Sequence, residues 1–349
     1  GDTTDSVSYM RFGTERVTAD LGLRGTFETG AVGHEATLQV GQYRDKLERG
    51  AIYDSTVLRS NIYSNVANSA IAVASPTTKP KTSESVLTGV ALADTMSFWE
   101  DRLLLTLGGR HQRIESDNFS TTTGAVTSSY DDSVVTPMAG IVVKPNERLS
   151  VYANYIEGLS KGDIAPNTAS NAGEAMAPYV AEQIEAGVKF DMDGLGISAA
   201  AFQITKPYGQ TVNNVYNADG EQRNRGVELS VFGEVTPDIR LLGGVMLMDA
   251  ELTETNSAAT KGNRPIGVPE LQANLTAEWD MPFARGLTLS GTVTHTSSQY
   301  IDTANTQSIP DWTTLDLGLR YRTEFDGTPL TLRASLQNVT GEDYWYSVN

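Results

Sequence analysis

The side chains able to do chemistry are few and scattered. Three histidines occur in 349 residues, His34, His111 and His295. They stand too far apart for a spacing such as HExxH, which places two imidazoles on one helical face, so no metal site is expected from them. His295 near Ser297 and Ser298 is the one place where a hydroxyl and a base approach each other in sequence. No GxSxG elbow surrounds it, and no GxxxxGK[ST] phosphate loop occurs anywhere. Cysteine is absent, which removes thiolate nucleophiles, thiolate metal ligands and disulfides. The expectation is a protein that is not an enzyme, with no catalytic residue, no metal and no cofactor.

Residues suited to binding are more abundant. Tyr53, Tyr63, Tyr130, Tyr208, Tyr216, Tyr300 and Trp345 lie in or beside long polar stretches. Such rings combine a large apolar face with a hydrogen-bonding tip, which suits a flat, partly apolar ligand. The same rings would equally serve as anchors at a membrane interface. Charged candidates are Arg110 in LGGRHQR, Arg223, Arg225 and Glu228 in EQRNRGVE, and Arg320 and Arg322 in LGLRYR. They fall on the polar sides of strand-like segments, or at the start of one, where they would pair with one another or guide an anion.

The elements that position these residues are β-strands. In LTLRASLQ, Leu330, Leu332, Ala334 and Leu336 alternate with Thr331, Arg333, Ser335 and Gln337. TLDLGLRYR, LQANLTAEW and VTADLGLR repeat the pattern, the period of a strand with two different faces. About fourteen strands are expected, centred near residues 22, 38, 90, 108, 138, 154, 185, 200, 229, 244, 274, 292, 317 and 334. The connections alternate in length. Short turns are expected at 29–33, 99–102, 144–148, 191–194, 234–238, 281–286 and 323–327, and long polar loops at 44–84, 117–133, 160–178, 206–221, 250–268 and 297–311. Every tight turn then lies at one end of an up-and-down sheet and every long loop at the other, the layout of a transmembrane β-barrel in the bacterial outer membrane. No apolar run reaches the roughly 20 residues of a spanning helix. A net charge of −17 argues against a nucleic-acid partner.

Several segments resemble the barrel domain of the TonB-dependent siderophore receptors, in order along nearly the whole chain. They include FETGAVGHEATLQVGQYR (27–44), LTGVALADTMSFWEDRLLLTLGGRHQRIES (87–116), TPMAGIVVKPNERLSVYANYIEGLSKG (136–162), PYVAEQIEAGVKFD (178–191), GEQRNRGVELSVFGEV (220–235) and LRASLQNVTGEDYW (332–345). The resemblance implies an all-β, antiparallel up-and-down barrel of about 22 strands with a plugged lumen, of which residues 1–349 are a partial wall. By that comparison the plug domain, the coupling segment, the earlier strands and the final strand are not present. It further implies uptake of a ferric siderophore as transported ligand, energised by the TonB complex through the missing N-terminal region, in a wall surrounded by outer-membrane lipid. The seven aromatic residues would then stand at the extracellular mouth, and the six charged residues would face the lumen. Other readings remain: uptake of cobalamin or a sugar, a passive pore complete in about fourteen strands, or a soluble all-β binding protein.

Overall fold

An extended chain sends successive side chains to opposite faces, so each alternating segment becomes a two-faced strand. The computed structural model describes residues 2–61, 68–160, 162–166, 168–172, 174 and 176–348. Among the described residues sixteen strands form: β1 (Asp2–Thr29), β2 (Val32–Asn61), β3 (Lys81–Phe98), β4 (Leu103–Phe119), β5 (Val126–Asn146), β6 (Leu149–Ser160), β7 (Tyr179–Met192), β8 (Leu195–Val212), β9 (Val215–Thr236), β10 (Ile239–Glu254), β11 (Leu271–Asp280), β12 (Leu287–Thr296), β13 (Gln299–Tyr300), β14 (Ser308–Ile309), β15 (Trp312–Phe325) and β16 (Thr328–Leu336). Fourteen make one antiparallel up-and-down sheet, and all fourteen expected strand centres fall within them. β13 and β14 form a small separate sheet, so β12 pairs with β15. β1 and β16 are the end strands of the order, and no pairing joins them among the described residues.

All seven expected short turns are present, at one end of the sheet. Their residue types fit the backbone they adopt: Asp193 and Gly194, and Asp326 and Gly327, carry positive φ at successive positions. That is the requirement of a two-residue hairpin turn whose twist matches its strands. The opposite end departs from expectation. The stretch 206–221 is not a long loop: β8 and β9 run on to a two-residue turn at Asn213 (φ 49°) and Asn214 (φ 66°). The 117–133 loop shrinks to 120–125, and within 44–84 strand β2 runs on to Asn61 and β3 begins at Lys81. Beyond the membrane both strand faces meet water, so apolar alternation disappears from the sequence while the hydrogen-bonded ladder continues.

Register fixes the two faces. Leu21 stands opposite Val40, Val40 opposite Val90, Leu105 opposite Ile141, and Val151 opposite Val188. The row continues through Ala199 and Leu229, Leu229 and Val245, Leu275 and Val293, and Leu317 and Leu336. Partners share a face, so this is one apolar band across the whole sheet. Its side chains are open: Leu21 is 75% exposed, Leu92 60% and Val135 63%. So large a continuous apolar surface belongs against hydrocarbon rather than water.

On β1 the band runs from Val17 to Phe27, about the 9–11 residues a tilted strand needs to cross a bilayer. At the turn end it is edged by aromatic residues: Phe27, Phe190, Trp279, Tyr321 and Phe325 on the strands, and Trp99 in a turn. Amphipathic rings favour the headgroup level, and these mark the turn-side boundary. The protein needs little apolar core of its own, and among the described residues only Ile114 is a large side chain buried below 2% exposure. Leu229→Arg, at the middle of the band on β9, is expected to destabilise the membrane-inserted protein by about 2–4 kcal/mol. Ser230→Arg, one residue along on the polar face, should cost far less. Urea titration of both variants in lipid vesicles checks the difference.

Candidate functional site at the lumen wall and loop mouth

The face opposite the apolar band is polar and bounds the lumen. Its densest charge network joins four strands. Arg240 on β10 meets Glu278 at 3.1 Å and Asp280 at 2.8 Å on β11, and Arg320 on β15 reaches the same Glu278 at 3.1 Å. Thr288 on β12 donates to Asp280. Elsewhere on this face the Tyr152 hydroxyl donates to Glu185 (2.7 Å) and the Ser230 hydroxyl to Glu228 (3.2 Å). Arg240, Asp280, Tyr152 and Glu185 were not singled out from sequence. Each occupies the polar position of an alternating strand, which is the signal that would have found them.

Of the charged candidates, Arg110, Glu228, Arg320 and Arg322 lie on the lumen side. Arg110 lies across Gly89, where a Cβ would come within 3.1 Å of its Nε, rather than against a carboxylate. Arg322, opposite Thr331 beside the last turn, is exposed. Arg223 and Arg225 require a correction. They share a face with Val227 and Leu229, not with Glu228, so they project outward just beyond the apolar band. There Arg223 meets Glu251 (2.8 Å) and Arg225 meets Asp249 (3.0 Å). Their odd spacing from Glu228 already separates them from it. The three histidines also lie on the outer face: His34 opposite Phe27, His111 opposite Val90, and His295 opposite Ala273.

The aromatic candidates divide. Tyr53 is 61% exposed on the lumen side of the long β1–β2 hairpin, and Trp345 is 64% exposed. Tyr300 lies in the β13–β14 hairpin, and Tyr63 falls outside the described residues. Tyr130 is only 7% exposed, so it packs within the wall and offers no open surface. Burial pushes its hydroxyl up to about 12. Tyr208 donates to the Glu254 carbonyl. Tyr216 donates to Asp163 (2.8 Å), as does Tyr179 (3.0 Å), in a cluster with Ala165 and Met176 that holds Asp163 and Ala165 against the β8–β9 hairpin. These two candidate tyrosines therefore spend their hydroxyls on loop packing. Sequence reasoning missed the stack of Trp312 on Tyr344, with ring centroids 4.3 Å apart, beside Trp345.

Two loops of the mouth are tied by reciprocal bonds through one side chain. Asn305 donates to the Arg264 carbonyl (2.9 Å) and accepts from the Arg264 N–H (2.8 Å). Asn263 donates to the Thr303 carbonyl and the Gly267 N–H to the Tyr300 carbonyl, so 255–270 and 297–311 form one ordered rim. The Asp302 carboxylate accepts from Thr306 and Gln307, and those hydrogen bonds hold its carboxyl below the ordinary range.

An up-and-down sheet that is apolar outside and polar inside, with tight turns at one end and ordered loops at the other, is the wall of an outer-membrane β-barrel. Residues 1–339 match the family "TonB dependent receptor-like, beta-barrel", and the chain belongs to it. It is 39% identical to the ferrichrome receptor FcuA of Yersinia enterocolitica over 359 residues, covering 100% of this chain and 47% of that receptor. A solved structure of BauA, the ferric preacinetobactin receptor of Acinetobacter baumannii, is 38% identical with a TM-score of 0.87, covering 99% of this chain and 53% of that one. The siderophore receptor PiuA from the same organism shares the fold at 21% identity and a TM-score of 0.77, covering 96% of this chain and 53% of that one. The chain spans about half the length of the curated relatives it matches.

Asn305→Ala is expected to release the two rim loops from each other, raising amide exchange at Arg264 and protease nicking within 255–270. For Asp302 the lowered pKa sets the sign: its contribution to rim order is present above the ordinary carboxylate range near 4 and lost as pH falls through its own lower value. Amide exchange at Thr306 and Gln307 followed from neutral to acid pH checks this.

Proposed function

We propose that this chain is the wall and loop mouth of a receptor that takes up a ferric siderophore across the outer membrane, with energy supplied by the TonB complex. The observation that carries the reading is the agreement with BauA at 38% identity along 99% of the chain, loops included. FcuA supports it independently at 39% identity. Iron is then cargo, delivered inside its chelator, so the wall needs no resident cofactor. The outward placement of all three histidines fits this, since none of them faces the path of the ligand.

The same geometry supports the remaining parts of this reading. Lipid covers the apolar band between the aromatic ring and the outward charges of Arg223 and Arg225. The lumen wall, with its paired charges, is the surface that a plug of the kind carried by the family would meet. Binding, rather than bond-breaking, is the work of the mouth. Cells dependent on the full-length gene for iron should take up a labelled ferric siderophore, and collapse of the proton gradient should abolish uptake while leaving surface binding intact. Steady passive conductance through the purified full-length protein, with uptake indifferent to the gradient, would overturn the reading in favour of a pore.

A further inference from the structure

A carboxylate on the lipid side of the sheet needs a reason. Asp94 on β3 shares the outer face with Val90 and Leu92 and stands opposite Ala36 and Leu107. Its level is that of Gly25, between Leu23 and Phe27 of β1, inside the apolar band. Ionisable side chains facing lipid oppose insertion and persist where they do work. Asp94 has one partner: its Oδ2 lies 2.8 Å from Nδ1 of His34 on β2, while its Oδ1 is buried without a hydrogen bond among the described residues. The other ring nitrogen, Nε2, lies 2.7 Å from the Thr29 hydroxyl at the end of β1. The Phe27 ring stacks on the imidazole, with centroids 4.7 Å apart and planes 2° from parallel, and holds it in place.

The three groups form a chain with a definite direction. An ionised carboxylate only accepts, so Nδ1 of His34 carries the proton and donates to Asp94. Nε2 is then the bare nitrogen, and the Thr29 hydroxyl donates to it. That is the order of carboxylate, base and nucleophile in acyl transfer, an arrangement recognised by geometry and roles rather than by sequence position. Exposure is graded to match: Thr29 is exposed, whereas the His34 side chain is only 13% exposed. Thr29 also opens the turn to Val32, in which Gly30 has φ 66°. The N–H groups of Gly30 and Ala31 have no hydrogen bond among the described residues, and the N–H that follows a nucleophile is a donor to an acyl oxyanion.

We infer that Thr29, His34 and Asp94 form an esterase site that hydrolyses an acyl ester of a glycerophospholipid in the turn-side leaflet. Thr29 is the nucleophile, His34 the general base and then acid, and Asp94 the positioning residue. The place of the site sets the substrate class. Thr29 lies one outward step past Phe27, roughly 7 Å along the strand, at the level where lipid ester carbonyls meet water. Thr29 Oγ bonds to the ester carbonyl carbon as its proton passes to Nε2, and the turn N–H groups are the donors to the oxyanion. Collapse breaks the bond to the glycerol oxygen, which takes the proton from Nε2 and leaves in the lysophospholipid. Water then adds to the acyl-threonine, losing a proton to Nε2, and the fatty acid departs as that proton returns to Thr29 Oγ. Water is the one co-reactant. The site faces lipid at the opposite end of the sheet from the loop mouth, and it does not rest on the uptake reading.

The test uses the purified full-length gene product, made in a host lacking its own outer-membrane phospholipase and reconstituted in vesicles of phosphatidylethanolamine and phosphatidylglycerol. Mass spectrometry follows fatty acid and lysophospholipid, which the unaltered protein is expected to release in equal amounts. Thr29→Val keeps the shape of the side chain, removes the hydroxyl at an exposed turn position, and should reduce release to that of protein-free vesicles. Thr29→Ser should retain it. Asp94→Asn should lower the rate about a hundredfold or more, because the acceptor that sets the imidazole tautomer is lost, and Asp94→Glu should recover part of the rate. Heat-modifiable gel mobility reports whether each barrel is intact. Release by the unaltered protein no greater than from protein-free vesicles, or equal release by Thr29→Val, overturns the inference and leaves the uptake reading standing.

Discussion

Hydrocarbon offers no hydrogen-bond partner to a peptide group, and every other feature of this wall follows from that. A spanning segment must satisfy its N–H and C=O groups within the protein. Here each strand does so against its neighbours through a ladder that runs across fourteen strands. Because the ladder occupies the backbone, the side chains are divided strictly between two faces. One face can then be largely apolar and the other largely polar without a packed interior between them. The result inverts a soluble protein: Leu21 and Leu92 are open where Ser116 and Thr136 are buried.

The ladder also explains how chemistry is distributed. At the turn-side end of the polar face charge meets charge, as in the Arg240, Glu278, Asp280 and Arg320 network, where pairing offsets the cost of desolvating each ion. Beyond the membrane the same strands continue as hairpins and are no longer obliged to keep one face apolar. There the chain can tie loops with single asparagines and bury tyrosines in loop clusters. The boundary is visible on the outside, where Val227 gives way to Arg225 within one step of the strand repeat.

Much of this was legible in the sequence, for a physical reason that can be traced to particular residues. Strand positions were legible because lipid on one side and water on the other imprint a period of two, as in Leu315, Leu317, Leu319 and Tyr321. Turns were legible because Asp193–Gly194 and Asp326–Gly327 adopt backbone that few other residues tolerate. The Asn213–Asn214 turn was missed although its residues are equally suited to positive φ, because the polar strands leading to it show no alternation. The turn-side aromatic ring was missed for another reason: Phe27, Trp279 and Phe325 read as ordinary apolar positions until their common level is known.

The sequence by itself determined the fourteen strands of the main sheet, the two faces, the end that carries the turns and the family, since each is a local or periodic property that survives without knowing which strand touches which. Tertiary structure alone decided what each functional side chain meets. Placing Arg223 and Arg225 outside the lumen required a register anchored to the apolar band. Retiring Tyr130, Tyr208 and Tyr216 from the open mouth required the loops that cover or engage them. Bringing Asp94 to His34 required the pairing of β2 and β3, which joins residues 60 positions apart. Hydrogen-bonded register converts sequence distance into contact, and composition carries no record of it.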